Sequence, residues 1–243
     1  MLLLLHAWCE SAGAFDRLVP RLPPWLHVVS FDQRGHGASS KPDHGYALSD
    51  FADDVVAVLN ALNIGSAFLL GTSSGGYVAQ QVSRTHPDRV RGLVLVGAPV
   101  DLRRACSLGD ELDGLSDPLD ARWVRASLDW FPLYATVPDW YIADRVQDGL
   151  SAPARVWKET FVGLVEAEPP TRGRLLRGPG LVIWGERDDV LSREDEEALA
   201  GSVENCELVV YPRTGHLVLY EHPERVAADT TRFLEAVRAS TGS

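Results

Sequence analysis

The chain has 243 residues, a length that suits one domain, or one domain with a modest insertion. Hydrophobic residues make up 45% and charged residues 23%, the balance of an ordinary globular protein. The net charge of −11 argues against nucleic acid as a partner, because no basic patch stands out that could neutralise phosphates. It also weakly disfavours strongly anionic substrates, although a local pocket can override the overall field.

The three cysteines, Cys9, Cys106 and Cys206, are odd in number and form no CxxC pair. This pattern disfavours a disulfide framework or a zinc site and favours a reducing compartment, so we expect a cytoplasmic protein. The apolar run that begins the chain stops at His6, which is too short for a signal peptide or a membrane span. We therefore expect no membrane association and interpret Leu2–Leu5 as a buried strand.

Short apolar runs alternate with amphipathic segments along the chain. The predicted strands are Leu2–Leu5, Val28–Phe31, Ala67–Leu70, Val90–Val96, Leu181–Trp184 and Leu208–Tyr211. Strands that alternate with helices predict an α/β fold with a mostly parallel, doubly wound sheet and helices on both faces.

Three helices are predicted between and after these strands. They cover Leu48–Leu62, Ser74–His86 and Glu221–Arg238. In the first of them, Ser49 with Asp50 and Asp53 is expected to cap the N-terminus and complement the helix dipole.

The segment 100–178 breaks the alternation, since it contains no clear buried strand and has a helical pattern. It holds four of the seven tryptophans, namely Trp123, Trp130, Trp140 and Trp157. We predict a helical lid inserted into a core made of residues 1–99 and 179–243. Its expected place is over the carboxyl edge of the sheet, where open α/β sheets bind ligands.

Gly71-Thr72-Ser73-Ser74-Gly75 is a GxSxG pentapeptide. The pattern alone is weak evidence, but here it follows a predicted strand directly and opens a predicted helix. A sharp strand-to-helix turn is the setting of a nucleophile elbow, which projects its serine above the sheet. We therefore predict Ser73 as a nucleophile; the alternative is a plain turn in which Ser73 only caps the helix.

A serine hydroxyl needs a base to take its proton, and the base needs a carboxylate to orient it. His216 lies on the loop after the last predicted strand, which places it at the same edge of the sheet as Ser73. Asp188 follows the strand Leu181–Trp184, with Asp189 and Glu186 as the fallback choices. The alternatives are a solvated loop histidine and a solvated acidic turn.

An oxyanion hole should supply backbone N–H groups where negative charge develops. Ser74, directly after the nucleophile, provides one N–H, and the loop after Leu2–Leu5 should provide the other. We assign the second donor to Trp8 and expect His6 only to brace this loop.

These motifs resemble those of the α/β-hydrolase fold family, in its serine hydrolase, esterase-like or lactonase-like branch. His6-Ala7-Trp8 is similar to that family's His-Gly-x loop, and the stretch 32–39 is similar to its D-x-R-G-x-G-x-S turn. Gly185-Glu186-Arg187-Asp188 and Gly215-His216 resemble its acid turn and its Gly-His loop. The resemblance implies the chain order Ser73, Asp188, His216 and a lid after the fourth strand found here.

Two departures from the family pattern stand out. Ala7 replaces the usual glycine and adds a methyl group beside the oxyanion donor. The family normally has two further strands before the strand that begins this chain, so Val28–Phe31 should become a sheet edge. We expect that edge to be covered by a chain segment or by another subunit, which would make the protein a homodimer; the alternative is a misplaced start.

Serine with a base and an oxyanion hole suits acyl transfer through an acyl-enzyme, so an ester or lactone is the expected substrate. The alternatives are a C–C bond hydrolase of ring-cleavage products, an acyltransferase, a cofactor-free haloperoxidase-like enzyme and a non-catalytic ligand receptor. The four lid tryptophans should contact a small to medium, apolar or aromatic substrate, unless they form the lid's own core. Neither a cofactor nor a metal is expected, because no HExxH, P-loop or clustered Cys/His motif occurs.

Overall fold

The computed structural model describes residues 1–103 and 107–241. Its strands form one sheet in the order β2-β1-β3-β4-β5-β6, and every neighbouring pair is parallel. The strand bounds are β1 Leu2–Leu5, β2 Val28–Ser30, β3 Ala67–Thr72, β4 Val90–Val96, β5 Gly180–Gly185 and β6 Cys206–Tyr211. The predicted α/β class and parallel sheet are confirmed, and each predicted strand is found within two residues of its expected ends.

The sheet is buried on both faces, which is why its strands are continuous apolar runs rather than alternating ones. In β1, Leu3 and Leu5 face one hydrophobic cluster, and Leu2 and Leu4 face the other. All four side chains are fully buried. At roughly 1.5–3 kcal/mol for each buried leucine, this short strand makes a substantial contribution to the stability of the core.

The helices cover both faces of this sheet. Their bounds are α1 Leu48–Ala61, α2 Ser74–Thr85, α3 Ser107–Asp110, α4 Ala121–Ser127, α5 Asp139–Ser151, α6 Ala154–Val165, α7 Arg193–Gly201, α8 Val218–Glu221 and α9 Pro223–Thr241. None of the helices in the described residues is long and apolar enough to cross a membrane.

Two helix predictions need correction. The last predicted helix, Glu221–Arg238, begins instead at Pro223 as α9, and Glu221 ends the short helix α8; His222 lies between them because the residue before a proline is disfavoured in the helical region. At α1 the capping side chain is Asp50, whose carboxylate accepts a hydrogen bond of 2.9 Å from the Ala47 N–H. Ser49 lies inside the first turn of α1 and does not cap it.

The segment between β4 and β5 contains helices α3 to α6, as the helical pattern predicts. Its buried side chains do not form a separate core. Val124, Val156, Trp157 and Leu164 belong to the same hydrophobic cluster as Leu95 of the sheet. The segment is therefore packed directly onto the sheet.

Strand β2 lies at the edge of the sheet, as predicted. Its two valines, Val28 and Val29, are half-buried and Ser30 is exposed. Among the described residues no segment pairs with its outer side, so the expected covering chain segment is not found there. Its length of three residues limits the exposed edge, and coverage by a second copy of the chain stays a prediction.

Candidate active site

Ser73 is the single residue between the last residue of β3 and the first residue of α2. Its backbone has φ 47° and ψ −120°, a strained conformation that few non-glycine residues adopt. The flanking glycines are sterically required. A Cβ on Gly71 would lie 2.3 Å from the Gly75 carbonyl oxygen, and one on Gly75 would lie 2.2 Å from that of Leu5. The predicted elbow is therefore present, and it aims the Ser73 hydroxyl above the sheet.

The Ser73 hydroxyl meets His216, which lies on the loop after β6. His216 Nε2 lies 3.0 Å from Ser73 Oγ, and His216 Nδ1 lies 2.8 Å from Asp188 Oδ2. The side chains of His216 and Asp188 are 3% and 0% exposed. Because a carboxylate offers no proton, Nδ1–H donates to Asp188 and Nε2 is left to accept from Ser73. The three predicted residues thus form one hydrogen-bonded chain.

Asp188 is held by its own turn. Its second oxygen, Oδ1, accepts hydrogen bonds of 2.9 Å from the N–H groups of Val190 and Leu191. The two fallback carboxylates, Asp189 and Glu186, are exposed, and Glu186 accepts from the Arg213 N–H at 3.1 Å. Only Asp188 reaches His216.

A second buried carboxylate, that of Glu221 on α8, holds the loop of His216. Glu221 accepts from the Gly215 N–H at 2.8 Å and from the Tyr134 N–H at 2.9 Å. Glu221 thereby joins the His216 loop to the segment that contains Tyr134. The same segment carries Phe131, whose ring stacks on His216 with centroids 5.2 Å apart. Sequence reasoning missed Glu221, although an acidic residue shortly after His216 was a visible signal.

The predicted oxyanion loop is braced as expected. His6 Nδ1 contacts the Ala7 carbonyl at 2.8 Å, and His6 Nε2 accepts from the Gln33 N–H at 2.9 Å. Burial and the neighbouring His36 lower the pKa of His6 to about 3, so it stays neutral and structural.

The Trp8 N–H, the predicted second oxyanion donor, is directed at Ser74 Oγ at 2.7 Å. The Ser74 N–H, in contrast, has no acceptor among the described residues. The two predicted donors therefore differ: one is free and the other is already hydrogen-bonded.

A cavity of about 70 Å³ adjoins Ser73 and His216. At roughly 10–15 Å³ for each water-sized group, this space admits only a handful of heavy atoms. Its apolar lining comes from Val124, Leu128, Trp130, Phe131, Trp157 and Leu217. A larger, open groove shares Trp130 and Phe131 with the cavity.

Of the four tryptophans predicted to bind substrate, the structure places only two at the cavity. Trp130 and Trp157 line the cavity. Trp123 packs edge-on against both of them but is not part of the lining. Trp140 is 53% exposed and lies outside the cavity, because it precedes the inward-facing Tyr141 on α5 and so projects from another face of that helix.

One end of the cavity is polar, which the sequence reading did not anticipate. Glu10, Arg145 and Tyr220 line it and are each at least nine-tenths buried. Arg145 Nε donates to Asp148 at 2.7 Å, and the Tyr220 hydroxyl donates to Glu10. Burial raises the pKa of the Glu10 carboxyl above its usual range, although Arg145 and Tyr220 oppose this.

A signal for Arg145 was present in the sequence. The buried positions of α5 are Tyr141, Arg145 and Gly149, which are four residues apart and share one helix face. A charged residue on an apolar face is rarely buried without a partner, so its position pointed to an internal ion pair.

A further buried carboxyl, Glu196 of α7, lies near Asp188. It is fully buried, and neither of its oxygens has a hydrogen-bond partner in the described residues. Burial, together with the charges of Asp188 and Asp195, raises its pKa to about 9. Glu196 is therefore protonated at neutral pH.

Within the described residues no group of three or more His, Cys, Asp or Glu side chains is placed to hold a metal ion. The thiols of Cys9 and Cys206 are unbridged, and Cys106 lies outside the described residues. Cys9 lines the cavity, where burial raises its pKa and keeps the thiol protonated.

Two hydrolases of known sequence are similar to this chain over nearly its whole length. The chain is 31% identical to the 2-hydroxymuconate semialdehyde hydrolase of Pseudomonas sp. strain CF600, across 95% of this chain and 84% of that protein. It is 26% identical to the 2-(acetamidomethylene)succinate hydrolase of Mesorhizobium japonicum, across 97% of this chain and 88% of the relative.

Among solved structures, a thermophilic esterase from Thermogutta terrifontis superposes with a TM-score of 0.81 at 26% identity, covering 97% of this chain and 89% of that one. The model of the alpha/beta hydrolase fold family matches residues 1–223. This chain therefore belongs to the alpha/beta hydrolase fold family.

Proposed function

We propose that this protein is a serine hydrolase that cleaves a carboxylic ester or lactone through an acyl-enzyme. The observation that carries the proposal is the hydrogen-bonded chain of Ser73, His216 and Asp188, with distances of 3.0 and 2.8 Å, beside a cavity. This arrangement activates a hydroxyl that is otherwise a poor nucleophile.

The geometry supports the following sequence of steps. Ser73 Oγ attacks the substrate carbonyl while His216 Nε2 takes the hydroxyl proton, and Asp188 stabilises the resulting imidazolium through Nδ1–H. His216 then donates that proton to the leaving alcohol, which leaves an acyl group on Ser73. A water molecule, deprotonated by His216, attacks the acyl-enzyme and releases the acid and the free serine.

The shape of the cavity supports a small to medium acyl group that is largely apolar or aromatic. Trp130, Phe131 and Trp157 would contact this group, and the open groove beside them has room for a larger leaving group. In this proposal the segment 100–178 acts as the lid that covers the substrate. The polar end at Glu10 and Arg145 would place one polar substituent at the far end of the acyl group.

A C–C bond hydrolase is the second candidate, because the relative that is 31% identical to this chain is named a 2-hydroxymuconate semialdehyde hydrolase. That reaction would use the same three residues, so a dienoate substrate with product analysis separates the two. The remaining alternatives are an acyltransferase, a haloperoxidase-like enzyme and a ligand receptor. Preference for an alcohol over water as acceptor would indicate the first, and a trapped ligand without turnover would indicate the last.

The test is a fluorophosphonate probe together with a panel of p-nitrophenyl esters and lactones, applied to the wild type and to Ser73→Ala. We expect the wild type to be labelled and to hydrolyse short or aromatic acyl esters fastest. Ser73→Ala should lose both labelling and turnover. Labelling that survives this substitution would overturn the assignment of the nucleophile, and a flat preference across acyl groups would overturn the assignment of the acyl pocket.

The three cysteines, odd in number and without a CxxC motif, support a cytoplasmic location. The exposed edge at β2 supports a homodimer. Fractionation of cells and sedimentation of the purified protein test these two points.

A further inference from the structure

The residue after the nucleophile presents a hydroxyl to the oxyanion loop. Ser74 Oγ lies 2.7 Å from the Trp8 backbone nitrogen and accepts its N–H. A bond of this length is a well-formed hydrogen bond, and Ser74 is only 9% exposed. The N–H that the family resemblance assigns to the developing oxyanion is therefore occupied before any substrate arrives.

The proton of this hydroxyl has no acceptor in the residues that the structure describes. A serine hydroxyl carries one donor and two acceptor lone pairs, and here one lone pair is taken by Trp8. The O–H bond therefore points away from Trp8 and is free to donate to a ligand. Its nucleophile neighbour Ser73 and its hydrogen-bond partner Trp8 both line the cavity, although Ser74 itself is not part of the lining.

A hydroxyl that accepts a hydrogen bond becomes a better donor, because the bonds in a chain polarise one another. Trp8 N–H, Ser74 Oγ–H and a carbonyl oxygen on Ser73 would form such a chain in a buried site. Ser74 would then direct two donors at one oxygen, its backbone N–H and its side-chain O–H. Two donors of this kind are what a developing oxyanion requires.

We propose that the oxyanion hole of this protein is formed by the N–H and the Oγ–H of Ser74, with the Trp8 N–H polarising the hydroxyl rather than contacting the substrate. The proposal rests on the proposed serine hydrolase function and adds a catalytic side chain to it. The hydroxyl only donates a hydrogen bond, so no bond of Ser74 is broken and its proton returns unchanged after each cycle.

The alternative arrangement predicts the opposite effect of removing the Ser74 hydroxyl. In that arrangement the hydroxyl occupies the position of the oxyanion, and the substrate must displace it before the Trp8 N–H can donate to the substrate. Removing the hydroxyl would then leave activity unchanged or raise it. Ser74→Ala separates the two cases because it keeps the backbone N–H and deletes only the side-chain donor.

The test measures kcat and KM of Ser74→Ala on the best ester of the panel, together with the affinity of an arylboronic acid that mimics the tetrahedral intermediate. We expect kcat to fall by about 10- to 100-fold with little change in KM, since loss of one oxyanion donor typically costs about 10²–10³ and the released Trp8 N–H compensates in part. The boronate should lose affinity in parallel. Ser74→Thr, which restores a hydroxyl, should recover most of the loss.

Ser83→Ala is the matched control, because Ser83 is a buried serine on the same helix whose hydroxyl has no partner in the described residues. It should leave kcat and boronate affinity unchanged. A Ser74→Ala enzyme as fast as the wild type, or faster, would overturn the proposal. If the wild type is labelled at Ser73 in that case, only the role of Ser74 fails; if it is not labelled, the proposed function itself fails.

Discussion

The loops at the carboxyl edge of the sheet and the helices between β4 and β5 line the same cavity, yet different forces hold them. The loops are held by side chains that accept backbone N–H groups, with Asp188 and Glu221 each accepting two. The helices are held by aromatic packing, with the ring of Trp157 lying 5.2 Å from that of Trp8 and 5.1 Å from that of Trp123.

The two regions should therefore affect different properties of the protein. Hydrogen bonds are directional, so they fix the orientation of His216 toward Ser73. Aromatic packing depends mainly on volume and tolerates substitutions that conserve it. Changes in the loops should therefore alter the rate of the chemical step, and changes in the helices should alter stability and substrate preference.

The largest effect is expected at Asp188. In Asp188→Asn the amide can no longer accept the Nδ1 proton as a carboxylate does, so His216 adopts the wrong tautomer and the imidazolium loses its counter-charge. We expect kcat to fall by about 10³–10⁴ with the fold intact, as judged by an unchanged Tm. Asp189→Asn is the control, since Asp189 is exposed and has no contact with His216. Equal losses in the two variants would show that the acid has been misassigned.

A smaller effect is expected at Glu221. In Glu221→Gln only one of the two side-chain oxygens remains to accept, so either the Gly215 N–H or the Tyr134 N–H faces an amide NH₂. Leaving a buried donor unsatisfied costs about 1–3 kcal/mol, so Tm should fall. We expect kcat to drop about tenfold while KM changes little, because the His216 loop loses its anchor.

Glu224→Gln serves as the comparison for Glu221, because Glu224 is an exposed acid on the adjoining helix paired with Arg21. Its kcat and Tm should match those of the wild type. If Glu221→Gln lowers Tm without any change in kcat, the carboxylate supports the fold but does not position His216.

The helices are tested by two tryptophans that differ in burial. Trp157 is 4% exposed and its indole N–H donates to the Gly149 carbonyl at 3.0 Å, whereas Trp140 is 53% exposed. Trp157→Phe should lower the free energy of unfolding by about 1–3 kcal/mol and shift the preference toward bulkier acyl groups. Trp140→Phe should change stability by no more than about 0.5 kcal/mol and leave the acyl preference as it is. Denaturant unfolding and the ester panel measure both, and the same shift in both variants would contradict the cavity described above.

The smallest effect on activity is expected from Glu196, whose effect on stability depends on pH. Its pKa is raised from 4.5 to about 9 in the fold by burial and by Asp188 and Asp195. Below pH 4.5 both the folded and the unfolded states hold the proton. Above that value the unfolded state releases it first, so stability is lost progressively as pH rises toward 9, by at most about 1.4 kcal/mol per pH unit.

Glu196→Gln replaces the titrating carboxyl with an amide that does not titrate, so it should flatten the dependence of stability on pH. The difference in Tm between the variant and the wild type should be small at pH 5 and grow by up to about 8–16 °C at pH 8, at about 2–4 °C for each kcal/mol. A difference that stays constant over this range would show that Glu196 keeps no proton in the folded state.

The sequence alone was sufficient to predict the sheet and the three residues of the hydrogen-bonded chain. Buried parallel strands are continuous apolar runs, and the loops that follow them converge at one edge of the sheet. Ser73, Asp188 and His216 could therefore be assigned from which strand each one follows, without any knowledge of distances. The elbow glycines and the bracing role of His6 could also be predicted, because each follows from the residue's position next to a predicted strand.

The tertiary structure decided what depends on contacts between distant parts of the chain. Trp8 and Ser74 are 66 residues apart, and Glu10 and Tyr220 are 210 residues apart, so no local pattern joins either pair. Likewise, the packing of α5 against the rest of the chain buries Arg145 in the cavity wall and exposes Trp140. Local periodicity specifies where helices and strands form, whereas the lining of the cavity depends on how those elements dock, which is settled by the packing of the whole chain.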